Sequence, residues 1–131
     1  MLGEVVAEEK GKVTGTRVLE GHRVEVSFQA SGKMLGVAHT DTATYWSEMR
    51  PDGTMFGEGH GIIMTADGES ATWKGNGVGR LTGRGMGVAW RGAVYYYSAS
   101  AKLSRLNRVA AVFEYETDEN GNTTGKVWEW S

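Results

Sequence analysis

Cysteine is absent from the 131 residues and proline occurs once. The first absence removes disulfides, thiolate metal sites and cysteine nucleophiles together, and it suits a chain kept in a reducing cytoplasm. Charge of one sign is missing too. Fourteen Lys and Arg against sixteen Asp and Glu leave a net charge of −2, with the basic residues scattered singly. No electrostatic footprint for nucleic acid follows from that. No apolar run approaches the roughly 20 residues of a membrane helix, and residues 1–10 lack the basic and apolar regions of a signal peptide. These absences lead us to expect one cytoplasmic domain over residues 1–131, with neither nucleic acid nor membrane as a partner.

Glycine and large rings are plentiful instead: 20 Gly, five Trp and five Tyr. Their arrangement in short alternating segments predicts an all-β chain. Turn signals recur at Glu20-Gly21, Ser31-Gly32, Pro51-Asp52-Gly53, Ala66-Asp67-Gly68, Gly83-Arg84 and Asn120-Gly121. Glycine, or Asn or Asp before it, accepts the positive φ that tight hairpins require. Between these signals lie eight strand-like runs, at about 12–19, 23–30, 33–49, 54–65, 69–81, 86–97, 108–117 and 123–130. Residues 98–107, "SASAKLSRLN", read as a short helical turn or loop, with Leu103 and Leu106 three apart.

The turns also imply register, and their implications agree. A three-residue loop at Pro51-Asp52-Gly53 sets Ser47 against Gly57, Tyr45 against Gly59 and Ala43 against Gly61. Ala66-Asp67-Gly68 sets Ile63 against Ala71 and Trp73 against Gly61. A two-residue turn at Gly83-Arg84 sets Trp90 against Gly77 and Tyr96 against Ala71. A turn at Ser31-Gly32 pairs Phe28 with Leu35 and Val24 with His39, and one at Asn120-Gly121 pairs Phe113 with Trp128 and Ala111 with Trp130. Rings thus fall beside glycine or alanine on one apolar face. Eight consecutive antiparallel strands with such an inner face read as an up-and-down meander barrel. A barrel of that size is either filled by its own side chains or holds one small ligand.

The stretch "GEGHG" offers Glu58 and His60 on one face of a strand. On this register they point outward, and no third ligand converges, so no metal is expected. The flanking Trp46, Phe56, Ile62 and Met64 suggest a subunit interface, hence a homo-oligomer. His39 and Asp41 face inward among Leu35, Val37, Ala43 and Tyr45, where an imidazole and a carboxylate must find hydrogen bonds or change protonation. Residues 98–107 could close that end of the barrel as a lid, with Lys102 or Arg105 offered to an anionic group. "GNGVGR", residues 75–80, lies inside a strand and so is no dinucleotide loop, and no cofactor is expected.

With the strands assigned, "GNGVGRLTGRGMGVAWRGAVYYY" and "LNRVAAVFEYETDENGN" resemble uncharacterised bacterial proteins grouped with the allene oxide cyclase barrels. Those carry a glycine-rich hairpin followed by late strands of the "F.Y..D..G" kind. The likeness covers about residues 53–122 and rests on glycine spacing. It implies an eight-stranded barrel with an apolar cavity and a dimer or trimer, and it carries over no catalytic residue.

Three functions follow. The barrel holds a small apolar or amphipathic molecule, with Tyr45, Trp73, Trp90 and Tyr96 as walls and His39 and Asp41 as the orienting polar groups. Or it is an isomerase or cyclase in which His39 and Asp41 move a proton. Or its aromatics pack solid, and the outer face, through oligomerisation, is what matters.

Overall fold

Residues 1–131 are all described in a computed structural model. Eight antiparallel strands follow one another round a closed barrel, β1 finally pairing with β8. The strands are β1 (Leu2–Leu19), β2 (Arg23–Met34), β3 (Val37–Met49), β4 (Met55–Thr65), β5 (Ser70–Leu81), β6 (Val88–Tyr97), β7 (Ala110–Thr117) and β8 (Asn122–Trp130). A 3₁₀ segment, Ala101–Arg108, joins β6 to β7. This is the all-β meander barrel expected, with its helical segment in the expected place.

Two hairpins hold the register read from their turns. Across β3 and β4, Ser47 pairs with Gly57, Tyr45 with Gly59 and Ala43 with Gly61. Across β4 and β5, Gly61 pairs with Trp73 and Ile63 with Ala71. Each is fixed by a glycine at positive φ, Gly53 and Gly68, and by backbone bonds that close the loop.

Four readings are corrected. First, β1 begins at Leu2, ten residues before the run expected at 12–19. Second, Ser31-Gly32 is no turn. β2 runs through it, and the chain reverses at Leu35-Gly36, both at positive φ. Phe28 therefore faces Ala43 and Val24 faces Ser47. Gly32 is needed for a different reason: a Cβ there would collide with the carbonyl oxygen of Glu8 on β1. Third, the β5–β6 connection is longer than two residues. Thr82 donates to the Gly87 carbonyl and Gly87 to that of Arg84, which moves Trp90 to Gly79 and Tyr96 to Trp73. The shift is even, so every side chain keeps its face.

The fourth correction turns a strand over. Asp118 and Asn122 close a loop one residue longer than expected, and the Asp118 carboxylate accepts from the Asn120 and Asn122 N–H groups. Phe113 then faces Val127, and Ala111 faces Glu129. An odd slip exchanges the faces of a strand, so Trp128 and Trp130 lie outside and Trp130 is 63% exposed.

The interior is layered. At one end Val6, Met34, Ile63, Leu103, Leu106 and Val109 form a buried apolar cluster beneath the 3₁₀ segment. Leu103 and Leu106 are the buried face of that segment, which therefore plugs the barrel. Towards the other end Phe28, Tyr45, Trp90 and Tyr115 pack as a ring of rings, with centroids 5.2 to 6.1 Å apart. Between these layers sit polar side chains.

A candidate binding site inside the barrel

Three neighbouring strands bring the polar layer together. Glu9 on β1 pairs with Gly32 on β2, and Gly32 pairs with His39 on β3. With no side chain between them, the imidazole and the carboxylate meet across the glycine, His39 Nε2 lying 2.9 Å from Glu9 Oε2. The His39 side chain is fully buried and that of Glu9 is 15% exposed. Asp41, two residues along the same face, is 4% exposed and accepts a 2.9 Å bond at Oδ1 from the Trp73 indole N–H. Gly61 pairs with Trp73 and leaves room for that bond. A Cβ at Gly61 would run into the indole and lie 2.8 Å from Asp41 Oδ1.

Protonation follows from burial. Two carboxyls this close in a low-dielectric interior cannot both ionise easily. Burial, and then the neighbouring Glu9 charge, push Asp41 up to about 8. Burial also raises Glu9, but its hydrogen bond with Asp41 favours the ionised form. Burial lowers His39, against the pull of Asp41. At neutral pH the consistent assignment is a protonated Asp41 donating to an ionised Glu9, with neutral His39 donating Nε2–H to the same carboxylate. Nδ1 of His39 then has only a lone pair to leave unpartnered, and it has no hydrogen-bond partner. Four side chains, Glu9, Asp41, His39 and Trp73, thus form one hydrogen-bonded network inside an apolar wall.

Beside this pair is a cavity of about 100 Å³. Glu9 and Asp41 are the largely buried acidic groups in its wall, and Trp73, Tyr96, Val94 and the aromatic ring layer line it too. The buried Trp90 Nε1 and Tyr115 hydroxyl, both on cavity-lining residues, lack hydrogen-bond partners of ordinary geometry, although the Tyr45 hydroxyl is near both. Burial holds Tyr45 up at about 12 and raises Tyr96 and Tyr115 further still, so the three phenols stay neutral. The cavity therefore has an acidic end and an aromatic end.

Of the residues singled out from sequence, Asp41, Tyr45, Trp73, Trp90 and Tyr96 line this cavity. His39 stands behind Glu9 and pairs with it, not with Asp41. Glu9 and Tyr115 were missed. The signal for Glu9 was the alternation Ala7, Glu9, Gly11, Val13, which continues the inner face of β1 upstream of the run assigned as a strand. Lys102 and Arg105 do not enter the barrel; Lys102 pairs with Asp67, and Arg105 with Glu4 and Glu129 at the rim. Glu58 and His60 are exposed on the outer face as read. Of the expected interface flank, Arg23 covers Trp46 and Arg50 approaches Phe56, leaving Ile62 and Met64 open. No three His, Asp or Glu side chains converge as a metal ion requires. No helix is long and apolar enough to cross a membrane.

No family model and no curated protein sequence matches this chain. Solved structures do. A protein of unknown function from Clostridium acetobutylicum superposes with a TM-score of 0.83 at 15% identity, covering 98% of each chain. A β-barrel-like protein from Acinetobacter baumannii gives 0.79 at 11% identity, over 96% of this chain and 93% of its own. An enzyme from Penicillium herquei gives 0.59 at 18% identity, over 96% and 92%. These neighbours support the barrel in the resemblance drawn above but not the cyclase name. What the chain shares with them is its fold, a small closed β-barrel.

Proposed function

We propose that the protein is a binding barrel for a small, mainly apolar molecule with one polar end. The observation that carries this reading is the cavity itself, with Glu9 and Asp41 at its acidic end and aromatic side chains at the other. An apolar pocket with a few converging polar groups is the usual form of a small-molecule site. Size narrows the occupant. An apolar cavity of ~150 Å³ takes benzene. At about 100 Å³ this one fits a molecule of some five heavy atoms, or the tip of a longer one. The same void argues against a solid aromatic core. That the Penicillium herquei neighbour is an enzyme is compatible with chemistry in a barrel of this shape.

Saturation-transfer NMR with butanone, isobutanol and benzene tests the reading. Transfer to butanone or isobutanol is expected, and Val94→Phe, which places a ring in the cavity, should abolish it. No transfer to any of the three, or transfer undiminished in Val94→Phe, would remove the proposal.

A further inference from the structure

Glu9 and Asp41 are more than a polar anchor. Their mutual hydrogen bond favours the proton on Asp41 over Glu9, and both line the same cavity. A general base and a general acid side by side suit a substrate whose proton-accepting and proton-releasing atoms lie two bonds apart. A carbonyl compound with a hydrogen on its α-carbon is such a substrate, because its carbonyl oxygen and α-hydrogen are addressed together. Trp73 fixes Asp41 and His39 fixes Glu9.

We infer that Glu9 and Asp41 form an acid–base pair that enolises a small aldehyde or ketone held in the barrel cavity. This rests on the binding reading above. The Glu9 carboxylate takes the α-proton, the C–H electron pair becomes the C=C bond of the enol, and the carbonyl oxygen takes the Asp41 proton. The pair is then reversed, with Glu9 protonated and Asp41 ionised. In the return step Asp41 recovers the enol proton and Glu9 delivers a proton to carbon. Delivery to the original carbon gives exchange with solvent. In an unsaturated substrate, delivery to the γ-carbon moves the double bond. Nothing is oxidised or reduced and no co-reactant is needed. The partial exposure of Glu9 gives its proton a route to water between the two steps. His39 is a positioning residue: it lies outside the cavity lining and acts by holding Glu9 in one orientation.

The experiment is α-proton exchange of butanone in D₂O near neutral pD, followed by NMR, with saturation transfer to butanone measured on the same samples. The wild type is expected to speed exchange at least tenfold over buffer. Glu9→Gln and Asp41→Asn should each return it to the buffer rate while transfer persists. Asp41→Asn keeps the Trp73 bond and a donor towards Glu9, so it decides the matter if Glu9→Gln fails to fold. His39→Gln should reduce the rate while leaving transfer unchanged. Butanone that shows transfer but no faster exchange in the wild type would overturn the acid–base inference and leave the binding reading standing. So would acceleration that survives in both carboxyl variants. No transfer to butanone, isobutanol or benzene in the wild type would overturn both.

Discussion

Replacing Asp41 by Asn should stabilise this protein, although the residue is buried and hydrogen-bonded. In the folded chain Asp41 holds its proton up to about pH 8 because of burial and the Glu9 charge. In the unfolded chain it releases that proton near pH 3.9. A proton bound only by the folded state means that stability falls as pH rises between those values, by at most about 1.4 kcal/mol per pH unit. His39 has the opposite sign. Burial lowers it, so below about pH 6.5 the unfolded chain takes up a proton that the folded chain refuses, and stability falls with falling pH there. Glu9, raised by burial, adds to the Asp41 trend at the acid end. The tyrosines facing the pair titrate above the range that matters.

The clean window therefore runs from about pH 6.5 to 8, where the wild type should lose about 2 kcal/mol. An asparagine stands in for the protonated acid at every pH. Its oxygen accepts from Trp73 and its NH₂ donates towards Glu9. The variant should show little of that fall and exceed the wild type by on the order of 3–5 kcal/mol at pH 8. Urea unfolding of both proteins at half-unit steps from pH 5.5 to 8.5 gives the answer. A wild type whose stability is level or rises across the window, or an Asn variant weaker than the wild type at pH 8, would refute the reasoning.

Two further outcomes check the packing. Gly61→Ala should destabilise by about 1–3 kcal/mol through overpacking, and it should shift tryptophan emission, because the added methyl falls on Trp73 and the Asp41 oxygen it serves. Near-unchanged stability and emission would contradict that contact. The β8 register is tested by comparing tryptophans. Trp90→Ala should lose about 3–5 kcal/mol, whereas Trp130→Ser, on the outside, should stay within about 0.5 kcal/mol in urea titrations. Equal losses would put Trp130 back inside.

The fold was legible because alternation and turn chemistry reinforce each other over most of the chain. Pro51-Asp52-Gly53 and Ala66-Asp67-Gly68 each required a positive-φ glycine, and both registers stand. Gly32 misled because glycine serves two purposes. It permits a turn, but here it permits β1 to pass close over β2. The Asn120-Gly121 hairpin was found, yet its loop length was not legible, since the Asp118 side chain closes it. One residue of error sent two tryptophans to the wrong face. Among the polar residues, His39 and Asp41 stood out because they interrupt an apolar inner face. Glu9 did not, because it sits among Glu8, Lys10 and Lys12 in a stretch that reads as solvated. Only closure of the barrel, which pairs β1 with both β2 and β8, turns that glutamate inward. Tyr115 was hidden in the same way between Glu114 and Glu116.

The acid–base pair requires one proton shared by Glu9 and Asp41 beside the cavity. Carbon-13 NMR of the side-chain carboxyls, followed from pH 3 to 10 and assigned with Asp41→Asn, measures it directly. One carboxyl, missing in that variant, should titrate near pH 8. A protein in which every carboxyl titrates below about pH 5 would contradict the shared proton, and with it the acid–base chemistry drawn from it.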